Sequence, residues 1–300
     1  MKILGILGAT GVGKSAVAVQ VAKKLKCDVL SADSMQVYKD MNIGTAKITA
    51  AEMQGVTHHM LDVVTPDVNF SAQDYCDGAL RSTDGCGTIV MAGGTGFYFD
   101  CLLYPLDFQQ ADTKALREKL NGIYAREGKE KLWEMLKEQD LQTYNTIDLN
   151  NIKRVVRALE LALSGHRKSE GQGGIRKCAF EHKLYVLNAD RQYLYDNADK
   201  RIDGMIQEGL VQEVRDLLAK YNCRRSTSMQ AIGYKEILNY IDGNCTLNEA
   251  VQQLKLNTRH YIKRQLTYFK RMNAIWLDVL QYGTPETIAQ VITQDFLASF

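Results

Sequence analysis

One glycine-rich loop near the amino terminus restricts the possible folds of this 300-residue chain more than any other feature. Its sequence is Gly8-Ala9-Thr10-Gly11-Val12-Gly13-Lys14-Ser15, which matches the pattern G-x-x-x-x-G-K-[ST]. The loop follows an apolar segment that predicts a strand, Lys2–Leu7, and opens a segment that predicts a helix, Gly13–Leu25. In this context the backbone N–H groups converge on phosphate oxygens, and the helix N terminus adds positive potential. We therefore expect these residues to bind phosphate groups, with Lys14 as a mobile charge and Ser15 as a Mg²⁺ ligand.

Short apolar runs alternate with helical stretches through the first hundred residues, which is typical of a parallel sheet covered by helices. Further strands are predicted at Cys27–Ser31, Thr88–Ala92, Lys183–Leu187 and Ala274–Leu277. From about residue 112 to 164, apolar residues recur at spacings of three and four, which predicts helices alone. The predicted fold is an α/β, P-loop NTPase-like parallel sheet flanked by helices, with an inserted all-helical domain. We predict a core of residues 1–111 and 180–300 and an insertion of residues 112–179.

Other helices are predicted along the core. Their approximate ranges are 71–81, 192–208, 210–220, 232–241 and 247–271. Ser71 is the predicted N-cap of the first of these, with Asp74 three residues further on. The glycine-rich stretch 164–177 is predicted to be a mobile loop.

The composition excludes several classes of protein. Hydrophobic residues make up 45% and charged residues 24% of the chain, which is ordinary for a globular protein. No run of about 18 apolar residues is present, so we expect no membrane span. The seven cysteines are scattered without a C-x-x-C pair, which favours a reduced, cytoplasmic protein over a disulfide framework or a zinc site.

Positive charge is concentrated in the second half of the chain. Residues 1–150 contain 15 Lys and Arg against 19 Asp and Glu, net −4, whereas residues 151–300 contain 22 against 16, net +6. The segment Ala250–Leu277 has six basic residues and no carboxylate. This asymmetry is expected either for a surface that binds a polyanion or for a solvated helix face balanced by acids elsewhere.

The second buried strand lacks an acidic residue that ATP-hydrolysing proteins place there. Those proteins hold the metal with an Asp at the end of such a strand, but Thr88–Ala92 continues into Gly93 and Gly94. Only Cys27–Ser31 runs into a carboxylate, Asp33. Asp33 is therefore a displaced metal ligand, a base near the phosphates, or a turn or helix-cap residue.

A series of further motifs resembles the tRNA dimethylallyltransferases (isopentenyltransferases) in sequence and in order. The motifs are Ser31–Lys39 (SADSMQVYK), Ile43–Lys47 (IGTAK), His58–Asp62 (HHMLD), Phe70–Tyr75 (FSAQDY), Gly93–Tyr98 (GGTGFY), Lys153–Glu160 (KRVVRALE), Gln230–Lys235 (QAIGYK) and Thr258–Gln265 (TRHYIKRQ). The resemblance extends over about residues 3–277. It implies transfer of a dimethylallyl group from dimethylallyl diphosphate to N6 of the adenosine next to the anticodon on its 3′ side.

The resemblance also implies roles for individual residues. Asp33 is the expected general base, and Thr95 and Arg201 are expected to complete the clamp on pyrophosphate around the loop 8–15 and Mg²⁺. Without the resemblance, the sequence favours Arg201 as a surface residue paired with Asp199 or Asp203.

The tRNA anticodon stem-loop is the expected partner. The expected contacts with the acceptor adenine and the tRNA are Asp33, Ser34, Met35, Gln36, Thr95, Arg117, Lys153, Arg154, Val155, Val156, Arg157, Gly233, Tyr234, Lys235, Arg259, Lys263 and Arg264. The spacing of the helix around residue 155 places its three basic residues opposite its apolar ones. We expect the enzyme to act as a monomer.

Three other functions compete with this interpretation. An adenylate isopentenyltransferase would prenylate a free nucleotide, but the basic second half and the helical insertion favour a polynucleotide acceptor. A small-molecule kinase with a P-loop is disfavoured by the missing strand-end acid. A non-catalytic RNA-binding module would leave the P-loop without a role.

Overall fold

The computed structural model describes residues 1–104, 114–165 and 177–300. The predicted boundary at residues 111 and 112 and most of the predicted loop 164–177 lie outside these ranges. None of the described helices is long and apolar enough to cross a membrane.

The described strands form one six-stranded sheet in which every neighbouring pair is parallel. The strands are β1 Lys2–Gly8, β2 Asp28–Ser31, β3 His58–His59, β4 Thr88–Gly93, β5 Glu181–Asn188 and β6 Ile275–Asp278. Their spatial order is β3-β2-β4-β1-β5-β6. Because all strands run the same way, the ends of β1, β2 and β4 meet at one edge, where ligands of such sheets bind.

The described helices surround the sheet or form a separate group. They are α1 Lys14–Leu25, α2 Ala50–Met53, α3 Ala72–Ser82, α4 Gly96–Leu103, α5 Lys114–Glu127, α6 Lys129–Gln139, α7 Leu141–Thr146, α8 Ile152–Leu163, α9 Arg191–Gln207, α10 Leu210–Lys220, α11 Tyr234–Ile241, α12 Leu247–Phe269, α13 Val279–Tyr282 and α14 Pro285–Leu297. The predicted strands and helices are confirmed to within a few residues. β3, α2, α13 and α14 were not predicted from the sequence.

The N-cap predicted at Ser71 is confirmed. The Ser71 side chain accepts a hydrogen bond from the Asp74 amide, and the Asp74 carboxylate accepts one from the Ser71 amide at 2.8 Å. This reciprocal capping box satisfies two N–H groups that the first helical turn cannot pair.

The chain divides into two compact units, Met1–Pro105 with Cys178–Phe300, and Leu106–Lys177. The first unit contains the whole sheet, with β4 and β5 on either side of β1. Within it, the Ala179 amide donates to the Leu103 carbonyl at 2.8 Å, which joins the chain on either side of the second unit. The second unit packs α5 to α8 around the buried Leu120, Leu132, Leu136, Val155 and Leu159.

Candidate functional site

The P-loop connects the end of β1 to the start of α1. Gly11 and Gly13 have φ angles of +84° and +94°, in the left-handed region that favours glycine. The amides of Gly11, Gly13, Lys14 and Ser15 have no hydrogen-bond partner among the described residues. These free N–H groups at a helix N terminus form a concave donor set suited to an anion.

Thr10 departs from this arrangement. Its amide donates to the side-chain oxygen of Gln265 at 3.0 Å. The Thr10 amide, which the sequence predicts to bind phosphate, is therefore already occupied within the protein.

The electrostatics of the loop centre on Lys14. Burial, and after it the positive charge of Arg201, lower the pKa of the Lys14 ammonium from 10.5 to about 8, while the Asp33 carboxylate opposes both effects. The ammonium donates to the Ala9 carbonyl at 2.9 Å. Lys14, Arg201 and Asp33 thus interact across the loop, and a bound polyanion would favour the charged form of the lysine.

Asp33 follows β2 at the carboxyl edge of the sheet and is half-buried. Its Oδ1 accepts a hydrogen bond from the Met35 amide at 2.9 Å, so the turn role left open by the sequence is present. Its other oxygen has no hydrogen-bond partner among the described residues. Burial first, and then the charge of Asp33, raise the pKa values of Tyr98 and Tyr261, which therefore lie close to this carboxylate.

Thr95 ties the ends of β2 and β4 together. Its hydroxyl accepts from the Ser34 amide at 3.1 Å, and its amide donates to the Ala32 carbonyl at 3.1 Å. A Cβ on Gly93 would lie 2.1 Å from the Ala32 oxygen, so only glycine permits this approach. Thr95 therefore positions the segment that carries Asp33.

Two residues of α12 that were not predicted from the sequence as site residues lie beside the P-loop and the end of β4. Gln265 is buried; besides accepting from Thr10, it donates to the Gly94 carbonyl at 3.0 Å. Tyr261 lies beside Thr95 and Gln265, whose side chains partly offset the rise in its pKa caused by burial. Their spacing of four places them on one helix face, but that pattern alone does not distinguish a site from a core.

Arg201 lies on α9, where the two alternative partners considered in the sequence analysis are engaged elsewhere. Asp199 pairs with Arg259, and Asp203 pairs with Lys255 at 2.6 Å. Arg201 has no ion-pair partner among the described residues. Because its charge lowers the pKa of Lys14, Arg201 lies within electrostatic reach of the P-loop.

The three residues after Asp33 are all half-buried, but they differ in the hydrogen bonds of their side chains. Ser34 and Met35 are half-buried, whereas Gln36 donates to the carbonyls of Thr45 and Ala46 at 3.2 and 3.4 Å. The Gln36 oxygen accepts from Ser31 at 3.3 Å. The Gln36 amide thus fixes the loop around residue 45, which leaves it fewer groups for an acceptor base.

Several of the residues predicted to contact RNA have buried side chains. Val155 and Val156 belong to the core of the second unit. Tyr234 is fully buried, and its hydroxyl donates to Glu213 at 2.6 Å. Gly233 is also buried and has only its backbone to offer.

The remaining predicted RNA contacts have accessible charges. Exposed basic residues are Lys153, Arg154 and Arg157 on α8 and Lys263 and Arg264 on α12, whereas Lys235 and Arg259 are half-buried. The predicted opposition of basic and apolar faces on α8 is confirmed. Three of the arginines are already paired, Arg259 with Asp199 and both Arg117 and Arg157 with Glu160.

The donor set suits Mg²⁺ held jointly with a substrate. Among residues 1–104, 114–165 and 177–300, no three His, Cys, Asp or Glu side chains come together as a metal cage. Ser15 is exposed in the first turn of α1 and offers a hydroxyl beside the free loop amides. Mg²⁺ usually takes few protein ligands and completes its shell with water and phosphate oxygens.

Comparison with known proteins agrees with this geometry. A family model described as IPP transferase matches residues 36–272. The tRNA dimethylallyltransferase of Clostridioides difficile is 41% identical over 286 residues, covering 92% of this chain and 91% of the relative.

Solved structures are similar over the whole chain. A tRNA delta(2)-isopentenylpyrophosphate transferase from Staphylococcus epidermidis has a TM-score of 0.73 at 35% identity, covering 100% of this chain and 99% of that one. A eukaryotic dimethylallyltransferase acting on tRNA has a TM-score of 0.83 at 26% identity, covering 99% and 80%. From its sequence and its fold together, the chain belongs to the IPP transferase family.

Proposed function

We propose that the protein transfers a dimethylallyl group from dimethylallyl diphosphate to N6 of the adenosine adjacent to the anticodon on its 3′ side in tRNA, releasing pyrophosphate. One observation carries this proposal: a P-loop with free amides faces a carboxylate, Asp33, while β4 ends in glycines where an ATP-hydrolysing protein has an acid. The loop can therefore bind the diphosphate of a prenyl donor without nucleotide hydrolysis.

The leaving group is stabilised at the P-loop. As the bond between C1 and the bridging oxygen breaks, negative charge develops on pyrophosphate. The free loop amides, Lys14 and Arg201 are positioned to receive that charge. Mg²⁺ held by Ser15 would neutralise further phosphate charge. Hydrogen-bond donors that are fixed before the reaction stabilise this charge without having to reorganise. One such donor stabilises the transition state by about 3–4 kcal/mol.

The acceptor amine reacts beside Asp33. The lone pair of N6 is delocalised into the adenine ring, so the amine becomes acidic only as its bond to C1 forms. The unpaired oxygen of Asp33 accepts the proton released, while pyrophosphate keeps the electron pair of the broken bond. Because N6 is inaccessible in a stacked loop, the adenine must be turned out into the site.

Binding of tRNA is assigned to the exposed basic residues of α8 and α12. Phosphate contacts of this kind supply affinity, and unstacked bases supply specificity. None of the seven cysteines, all of them in the described ranges, forms a disulfide, which supports our assignment of the protein to the cytoplasm.

The direct test is a competition between acceptors. Purified protein is incubated with dimethylallyl diphosphate, Mg²⁺, unmodified tRNA and an excess of AMP. We expect prenylated adenosine in tRNA next to the anticodon, pyrophosphate in equal amount and no consumption of ATP. Prenylation of AMP in preference to tRNA would favour the adenylate isopentenyltransferase instead.

Replacing the proposed base tests the role of Asp33. Asp33→Asn keeps an oxygen that can accept from the Met35 amide but loses the negative charge. We expect kcat to fall by about 10²–10⁴-fold, the usual contribution of a general base. The Kd for tRNA, measured by filter binding, should stay within a few-fold; equal losses in kcat and Kd would assign Asp33 to folding or binding.

Arg201 can be tested against a neighbour on the same helix. Arg201→Ala removes a charge that acts on the P-loop, and we expect kcat to fall by roughly 10²–10³-fold. The control is Lys200→Ala, which removes one exposed positive charge from α9. Similar kinetics for the two variants would exclude Arg201 from the pyrophosphate clamp.

The lowered pKa of Lys14 predicts pH-dependent donor binding. The charged lysine binds diphosphate, so the affinity is highest below about pH 8 and declines as the pH rises through this value. Calorimetry at pH 9 in two buffers of different ionisation enthalpy should detect uptake of about one proton on binding. In Lys14→Arg both effects should vanish, because the guanidinium stays protonated. Equal pH profiles for the two proteins would contradict this assignment.

A further inference from the structure

A carboxylate without solvent exposure lies within the helical unit formed by α5 to α8. This residue, Glu160, is held by arginines from two helices. Arg117 of α5 donates through Nε to one oxygen and through Nη2 to the other, the latter at 2.9 Å. Arg157, one turn earlier on α8, donates through Nη1 at 2.9 Å. Three hydrogen bonds thus converge on one buried carboxylate.

The charge of Glu160 is maintained by these partners. Burial alone favours the neutral acid, but the hydrogen bonds from Arg117 and Arg157 outweigh burial and lower the pKa of Glu160. A buried charge of this kind persists only when it is paired. The three groups together carry a net charge of +1.

Both guanidinium groups also face solvent. The side chains of Arg117 and Arg157 are 54% and 45% exposed. Their other N–H groups have no partner within the described part of the chain. Because a guanidinium is a rigid planar fork, fixing one edge on a carboxylate also fixes the direction of its remaining donors. Two outward-facing donor sets are therefore oriented before any ligand binds.

We propose that Glu160 is a positioning residue for tRNA binding. It orients Arg117 and Arg157 as one preformed binding site for an RNA backbone phosphate, and it does not itself contact the RNA. The proposal rests on the proposed function and deepens it, because it explains how the helical unit would obtain its affinity. Preorganised side chains lose less conformational entropy on binding than mobile ones do.

The charge of the two arginines and their orientation predict opposite changes in tRNA affinity when Glu160 is replaced. Glu160→Gln removes a negative charge from a basic surface. If the arginines acted only as point charges, tRNA would bind more tightly to this variant. If their orientation matters, tRNA binds more weakly although the protein has become more positive. The sign of the change therefore distinguishes the two accounts.

The experiment measures the Kd of unmodified tRNA at several salt concentrations, together with kcat at saturating tRNA. For Glu160→Gln we expect about tenfold weaker binding, an unchanged kcat and a log–log salt slope shallower by about 0.7, one phosphate contact. The matched control is Glu134→Gln on α6, which removes an exposed carboxylate, paired with Lys131, from the same unit. The control should bind tRNA as well as the unchanged protein or slightly better.

A second variant keeps the test valid if Glu160→Gln unfolds in a thermal melt. Arg117→Lys preserves every charge and leaves Glu160 paired with Arg157, but it loses the two-pronged contact. We expect several-fold weaker tRNA binding, and in the double variant with Glu160→Gln a smaller additional loss, because the two residues act together. Unchanged or tighter binding by either single variant overturns the proposal. If the proposed function itself fails, the unaltered protein neither binds nor prenylates tRNA.

Discussion

The side-chain amide of Gln265 is the interaction on which the geometry of the reaction site depends. Its oxygen accepts from the P-loop at Thr10, and its nitrogen donates to the chain just beyond β4 at Gly94. One buried group on α12 therefore joins the diphosphate loop to the strand end that Thr95 connects to Asp33. In the proposed mechanism, a helix distant in the sequence therefore connects the loop that binds pyrophosphate to the segment that carries the general base.

The fold could be predicted from the sequence wherever a local pattern determined it. The P-loop between a strand and a helix is such a case, since its glycines, lysine and serine are needed together. β3 could not be predicted, because two residues carry no periodicity and this strand exists only by pairing with β2. The helices after residue 278 were not predicted because they contain no recognisable motif. Of these, α14 is an ordinary amphipathic helix that packs on α1.

Site residues that belong to a local sequence motif could be predicted, whereas those brought to the site from a distant part of the sequence could not. Asp33 could be found because it follows a buried strand. Gln265 could not, because a glutamine on an amphipathic helix gives no sign of the loop that it binds 255 residues away. Burial could not be predicted for every residue of the motifs: Val155 and Tyr234 lie within motifs predicted to contact RNA, but their side chains belong to hydrophobic cores. Ion pairs similarly reduce the charge that a count of basic residues suggests.

The hydrogen bond between Ala179 and Leu103 has a consequence for how such a protein could diversify. The chain departs from the α/β core and rejoins it at adjoining points, so none of the strand pairs depends on the length or the identity of what lies between. An element attached in this way can be enlarged, trimmed or exchanged while the sheet keeps its register. Under the proposed function, the helical unit could then change its RNA contacts while the α/β core keeps the reaction site.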